Sequence, residues 1–229
     1  LRRYTTKLKD VLDIQESSSK IFIKDNRLAQ LRITITKREH TEELQLFSLK
    51  QTHSDDIFHL TSKNDIGGYF EGDAIVTELK YPIAVRTADC LPIFIYSDRG
   101  DFVSVVHSGW RGTAKKILEK SVNFISHKFK TSIEELNFIF GVSICHKCYQ
   151  VGEDMKAQFI KDFGEEGSDL FVRDRFYLKR ANIRILKKLG VKSSKIYNIN
   201  RCSVCDNDSF HSFRKEQTDK RTFNIIEIV

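Results

Sequence analysis

Between Asp73 and Gly112 the chain carries four short apolar runs in close succession, and this stretch constrains the fold more than any other. Residues 73–79, 83–87, 91–96 and 102–107 are each β-branched or aromatic and bounded by turn residues, so each reads as a strand. A helix is expected from about Gly112 to Phe129, because Ala114, Ile117, Leu118, Val122, Ile125 and Phe129 recur at three- and four-residue steps. Its opposite face carries Lys115, Lys116, Glu119 and Lys120. Further on, strands are expected over 137–140, 196–199 and 223–229, and helices over 153–163 and 177–189, with Gly190 as the C-cap of the second. Upstream, 20–24 and 31–36 alternate at period two around Asp25-Asn26 and read as a hairpin, and 44–49 as a strand. Strands and helices mix without strict βαβ alternation, and no linker-like tract interrupts them, so residues 1–229 are expected to form one α+β domain.

Composition narrows the function classes. A chain of 229 residues with 40% hydrophobic content and 17 Phe has the material for a folded core. The net charge of +7 is dispersed: the basic pairs Arg2-Arg3, Lys115-Lys116, Lys179-Arg180 and Lys187-Lys188 sit in different segments among acidic residues, which argues against a nucleic-acid partner. No apolar run approaches the roughly 18 to 20 residues of a membrane span, and the basic run over 1–9 has no apolar stretch behind it. Five cysteines, an odd number, fit a reducing compartment, so a cytoplasmic protein without a membrane partner is expected.

Chemistry concentrates where the strands meet the first helix. If 91–96 and 102–107 pair antiparallel across their turn, residue numbers in opposite pairs sum to about 198, which places Cys90 opposite Ser108 and diagonal to His107. A thiol beside an imidazole can be a nucleophilic pair or two metal ligands, and equally a buried cysteine beside an incidental histidine. His53 is a third candidate, with His59 competing for its place. Two histidines and one thiolate with a fourth position open is the donor set of a catalytic zinc. Ser108-Gly109-Trp110-Arg111-Gly112 then forms a glycine-containing turn into a helix, where Arg111 and the amides near Gly112 can bind an anion, or where both glycines only ease a corner. Asp73, Asp89, Tyr149, Asn182, Arg214 and Arg221 complete the polar candidates, with Asp89 as a possible orienter of a ligand and Arg214 as a phosphate contact.

The segments GDAIVTE, RTADCLPIFI, VHSGWRGTAKKIL, CYQVGE and SFHSFRK, in this order from His53 to the C-terminus, resemble the YfiH-like family, also called laccase-domain or multicopper polyphenol oxidase-like proteins. The resemblance implies a layered α/β/β/α fold with mixed sheets, shared with deamidating toxin domains. It also implies zinc at His53, Cys90 and His107, with copper possible by substitution. The implied activity is phosphorolysis of purine nucleosides (adenosine, inosine, guanosine or methylthioadenosine) with adenosine deamination beside it. His53, Cys90 and His107 would then be catalytic, and Arg111, Gly112, Tyr149 and Arg214 would bind nucleoside and phosphate, in a monomer or small homo-oligomer. Residues 1–50 depart from the family pattern, Ser54 stands where a glycine is usual, Gly141-Val142 where Gly-Pro is, and Lys147-Cys148 where a double cysteine is.

Three other readings compete. Copper oxidation of phenols is disfavoured, since one Met and a three-ligand cluster cannot build a four-copper set. Cys90 as the nucleophile of a hydrolase or amidase acting on cell-wall precursor peptides requires a sulfur free of metal. A basic, non-enzymatic binding module lacks an aromatic-basic RNA motif. Finally, Cys145/Cys148 and Cys202/Cys205 have the C-x-x-C spacing of a four-thiolate zinc site, but the 53 residues between the pairs exceed the gap of a compact zinc ribbon. No second metal is therefore expected there, and Cys205→Ser is expected to cost only about 1–2 kcal/mol.

Overall fold

Hydrophobic alternation sorts the chain into two sheets and a layer of helices in a computed structural model that describes residues 11–229. The basic run over 1–9, with Arg2-Arg3, lies outside the described residues. In chain order come β1 (Leu12–Glu16), β2 (Lys20–Asp25), β3 (Leu28–Thr36), β4 (Phe47–Ser48), β5 (Ile57–Leu60), β6 (Ala74–Thr77), β7 (Ile83–Thr87), β8 (Leu91–Ser97) and β9 (Val103–Ser108). Helices α1 (Trp110–Ala114) and α2 (Ile117–Phe129) follow, then β10 (Leu136–Phe140), α3 (Glu153–Phe163), β11 (Phe171–Val172) and β12 (Arg175–Phe176). The chain continues through α4 (Leu178–Lys188), β13 (Ile196–Asn198), α5 (Phe213–Glu216) and β14 (Thr222–Ile228).

Sheet one has the order β1-β2-β3-β14-β7-β4, sheet two β13-β10-β8-β9-β6-β5, and β11 and β12 pair separately. Both large sheets are mixed, with β4/β7, β5/β6 and β10/β13 parallel and the other pairs antiparallel. The period-two geometry of a strand explains where the core lies. In β8, Phe94 and Tyr96 join Ile21, Ile23, Ile33 and Val85 between the two sheets. The alternate residues Leu91, Ile93 and Ile95 pack instead with Ile117, Leu118, Val122 and Leu186 of the helices. Sheet two is thus covered on both faces, which is why β8 reads as a continuous apolar run, whereas β2 alternates buried and exposed. The expected α+β class with mixed sheets is the one adopted. No helix of the described residues is long and apolar enough to cross a membrane.

Several local expectations need correction. The helix expected as one piece from Gly112 is two, because Lys116 adopts a left-handed conformation (φ 62°) between α1 and α2. Apolar periodicity continues across the break, so the pattern conceals it. The strand over 44–49 shrinks to Phe47–Ser48, since only these residues pair with β7. β1, β5, β11 and β12 were not anticipated; β1 buries only Leu12 and shows weak alternation. Gly190 (φ 86°) lies one place beyond the cap residue Leu189, in the position where a left-handed residue closes a helix.

Candidate active site

The candidate residues meet at one end of the sandwich. There, β6 and β8 begin and β7 and β9 end. Ala74 pairs with Val106 in the ladder, and the amide of His107 donates to the carbonyl of Asp73 at 2.7 Å, so Asp73 and His107 flank each other. The ladder between β8 and β9 pairs Leu91 with Ser108 and Pro92 with His107, so the pairs sum to 199 and not to the expected 198. Cys90 therefore sits one residue beyond the ladder, against Gly109. A Cβ at Gly109 would stand 2.9 Å from Cys90 Sγ and 3.3 Å from the His53 ring, which is the physical reason for glycine at this corner. His53 reaches the cluster because Gln51 prolongs the β4/β7 ladder with its side chain, accepting from the Arg86 amide (2.7 Å) and donating to the Arg86 carbonyl (2.9 Å).

One ring nitrogen each of His53 and His107 and the sulfur of Cys90 lie within 4.8 Å of one another. Cys90 Sγ is 4.0 Å from His53 Nε2, and the two imidazole rings stand edge to face at 5.0 Å. The Asp73 carboxylate is fully buried and organises the group. It accepts the amides of Thr52 (3.1 Å), His53 (3.1 Å) and Ser54 (2.6 Å), the Ser54 hydroxyl (2.9 Å) and Nδ1 of His107 (2.7 Å). Burial would raise its pKa, but the His107 and Ser54 hydrogen bonds outweigh burial and hold it near 2. Burial likewise opposes ionisation of Cys90 and His107, yet each stabilises the charged form of the other: the thiol falls to about 6 and the imidazole rises to about 9. His53 takes up its place in a left-handed conformation (φ 57°), which the amide-to-Asp73 bonds on either side sustain.

This donor set suits a metal. Two imidazoles and a thiolate are borderline-soft ligands of the kind that hold zinc, and three protein ligands leave a position for substrate. The carboxylate on Nδ1 of His107 commits that nitrogen and leaves Nε2 as the donor, the usual arrangement behind a ligating histidine. The 4.0 Å separation of Sγ and Nε2 is close to the edge of a zinc tetrahedron, roughly 3.5 Å. His59 is not part of the group: its Nε2 pairs with Glu78 at 2.7 Å on β5, beside Phe124 and Phe129.

A cavity of about 510 Å³ opens over this cluster, within the range that encloses a small organic ligand. His53, Cys90, His107, Tyr149 and Arg214 line it, and Arg111 and Gly112 do not. The Arg111 guanidinium stacks on the neighbouring Trp110 ring at 4.4 Å, and Gly112 packs so tightly that a Cβ would stand 3.2 Å from the Ser54 carbonyl oxygen. The helix behind them, α1, has only five residues. Cationic charge enters the cavity elsewhere, from Lys50, Arg86, Arg214 and Arg221. Among the described residues the guanidiniums of Arg86, Arg214 and Arg221 bond to backbone carbonyls and to no carboxylate. Arg86 escaped the sequence reading, although an exposed arginine in the otherwise buried strand β7 is the signal that marks it.

Two polar candidates turn out to build the frame. Asp89, expected to orient a ligand, instead accepts from the Ser203 hydroxyl (2.6 Å), the Ser212 hydroxyl (2.7 Å) and the Arg214 amide (2.6 Å), tying the β7–β8 connection to α5. Asp73 does the orienting that Asp89 was expected to do. Asn182, fully buried, links Thr113 (3.1 Å) and Ser108 (2.9 Å) to α4. Tyr149 lies under the Arg214 guanidinium at 5.5 Å, and burial raises its pKa, so its hydroxyl stays protonated.

The long gap that argues against a second metal site at the two C-x-x-C pairs does not keep the pairs apart in the fold. β10 and β13 are parallel neighbours in register, Phe140 beside Asn198, so their outgoing loops leave the same end of sheet two. That places the sulfurs of Cys145, Cys148, Cys202 and Cys205 within 4.8 Å of one another despite the long intervening sequence.

Comparisons with known proteins place the chain in a family. Residues 23–228 match the family described as multi-copper polyphenol oxidoreductase laccase. A purine nucleoside phosphorylase of Aquifex aeolicus (strain VF5) is 31% identical over 193 residues, 84% of this chain and 87% of that one. Adenosine deaminase RL5, from an unknown prokaryotic organism, is 30% identical over 82% of this chain and 77% of its own. Among solved structures, the Bacillus licheniformis hypothetical protein YfiH superposes with a TM-score of 0.83 at 18% identity, covering 94% of this chain and 99% of that one.

Proposed function

Because this chain belongs to the multi-copper polyphenol oxidoreductase laccase family and is similar to nucleoside-processing enzymes, we propose that it cleaves purine nucleosides with phosphate in the cavity over His53, Cys90 and His107. The observation that carries this reading is the coincidence, in one cavity, of a three-donor cluster and three guanidiniums without carboxylate partners. Four-copper oxidation is not supported: among the described residues the clusters with metal-ligand geometry are His53/Cys90/His107 and the four cysteines.

In phosphorolysis a phosphate oxygen bonds to the ribose C1′, the C1′–N9 bond breaks with its electrons leaving on the purine, and the purine takes up a proton. A zinc ion held by His53, Cys90 and His107 would supply a Lewis acid to this cavity. Asp73 fixes the tautomer and orientation of His107 and keeps its own charge at neutral pH. Arg86, Arg214 and Arg221 attract the phosphate dianion and hold it against substrate, the positioning task that planar guanidiniums suit. Tyr149, protonated throughout the neutral range, donates a hydrogen bond to substrate. Ile144 and Phe213 provide apolar surface for a base. The similarity to an adenosine deaminase favours a second reaction of the same cavity, in which water attacks the purine C6 and ammonia leaves.

Chromatography of adenosine or inosine digests separates these reactions. Phosphorolysis gives free base with ribose 1-phosphate only when phosphate is present. Arg86→Ala is expected to raise the KM for phosphate roughly 10-fold or more, the loss of one charge-assisted hydrogen bond, with metal content unchanged. Base release indifferent to phosphate, or an unchanged phosphate KM, overturns the reading.

A further inference from the structure

The four clustered cysteines lie outside the cavity and take no part in the chemistry above. Each C-x-x-C pair forms the same turn. The Tyr149 amide donates to the Cys145 carbonyl (3.0 Å), and the Asp206 amide to the Cys202 carbonyl (2.8 Å), so both turns close four residues on. In each turn the first sulfur faces backbone amides. Those of Lys147 and Cys148 point at Cys145 Sγ, while Cys145 N (3.2 Å) and Cys205 N (3.5 Å) point at Cys202 Sγ. Amides directed at a sulfur stabilise a thiolate. The two turns face each other, with Cys148 Sγ 3.5 Å from Cys205 Sγ, and they are held together by the parallel pairing of β10 and β13.

From this arrangement we propose that Cys145, Cys148, Cys202 and Cys205 form a closed four-thiolate site for one zinc ion, separate from the centre at His53, Cys90 and His107. Four soft donors within 4.8 Å of one another, with no position left for substrate, match a structural zinc and not a catalytic one. The Lys179 ammonium, which interacts with Cys145 and Cys202, offsets part of the negative charge of such a site. Its position gives it a task. Tyr149 follows Cys148 directly, and Ser203, inside the second pair, donates to the Asp89 carboxylate that also holds the Arg214 amide. The metal therefore staples together two loops behind one wall of the cavity, one that leads directly into Tyr149 and one that is tied to Arg214 of α5 through Asp89. The site stands whether or not the cavity processes nucleosides.

Elemental analysis of the full chain, purified without added metal, reads it directly. Wild type is expected to carry two zinc equivalents, His107→Ala one, and His107→Ala combined with Cys145→Ser and Cys205→Ser none. Should the triple variant fail to fold, cobalt loaded into His107→Ala protein is expected to show thiolate-to-cobalt charge-transfer absorption, and the four thiols to resist alkylation until metal is stripped. His107→Ala protein without zinc and with all four thiols freely reactive overturns the site. So does iron in place of zinc, or an intact mass short by the two hydrogens of a disulfide.

Discussion

Asp73 shows how much of the candidate centre depends on a residue that touches none of its presumed ligand positions except through hydrogen bonds. Its two oxygens orient His107 and at the same time fix the backbone of Thr52, His53 and Ser54, so one carboxylate sets the position of two imidazoles. Asp73→Asn keeps the size but loses the charge and the capacity to accept every donor. It is expected to weaken zinc binding at this centre about 10- to 100-fold, as other partners of ligating histidines do, measured by competition with a chromophoric chelator. Ser54→Gly, which removes the hydroxyl that donates to Asp73 and accepts the Asp56 amide but leaves the carboxylate in place, is expected to stay within a few-fold of wild type. Affinity unchanged in Asp73→Asn would show that the ligand geometry does not need this carboxylate. Cys90, His107 and His53 were legible in the sequence because their residue types announce chemistry. The guanidinium set was legible only in part: Arg214 and Arg221 stood among the candidates, but Arg86 did not, and Arg111 drew attention through a motif whose side chain stacks on Trp110.

At the scale of elements, the break at Lys116 positions the first turn of helix behind the centre. Lys116 is left-handed with a Cβ, a conformation that costs an ordinary residue roughly 1–2 kcal/mol. Lys116→Gly relieves that strain but loosens the unfolded chain, and the net gain is expected to be up to about 1 kcal/mol. A chemical-denaturation midpoint that rises with unchanged slope checks this; a lower midpoint would mean that the lysine side chain contributes more than the strain costs. Such a kink is invisible to periodicity, because α1 and α2 bury their apolar residues in one continuous core. What periodicity did reveal were the strands and helices whose faces differ sharply: β2 and β3, α3 with Phe159 and Phe163, and α4 with Ile185. Elements held mainly by pairing, such as β4 and β11, have two residues each and leave no pattern to read. The clustering of the cysteines was hidden for a related reason. Sequence separation says nothing about distance once two strands run parallel, and the adjacency of β10 and β13 is a property of the whole sheet.

Across the described residues, the two sheets meet through apolar side chains and through buried carboxylates, of which Asp25 lies at the edge of that core. Asp25, at the end of β2 in sheet one and 3% exposed, accepts from the Tyr96 hydroxyl of sheet two (2.9 Å) and from Arg27 through its amide (2.9 Å), Nε (2.9 Å) and Nη2 (2.6 Å). Arg27 Nη2 in turn reaches Asn137 Oδ1 on β10 at 3.0 Å. Burial raises the Asp25 pKa, but the Arg27 and Tyr96 bonds outweigh it and leave the group below its ordinary value of 3.8. A carboxylate whose folded pKa is depressed stabilises the fold fully above its unfolded value. That contribution is lost as the pH falls from about 4 through the lower folded value. Asp25→Asn keeps one acceptor and loses the charge, and it is expected to cost about 2–3 kcal/mol at pH 7, the scale of hydrogen bonds to a charged group. The difference from wild type should shrink as the pH drops below about 4, because the wild-type carboxylate is then protonated as well. Parallel denaturation curves of the two proteins between pH 7 and pH 3 test both parts. A deficit that stays constant down to pH 3 would assign the cost to packing and not to the charge that joins the sheets.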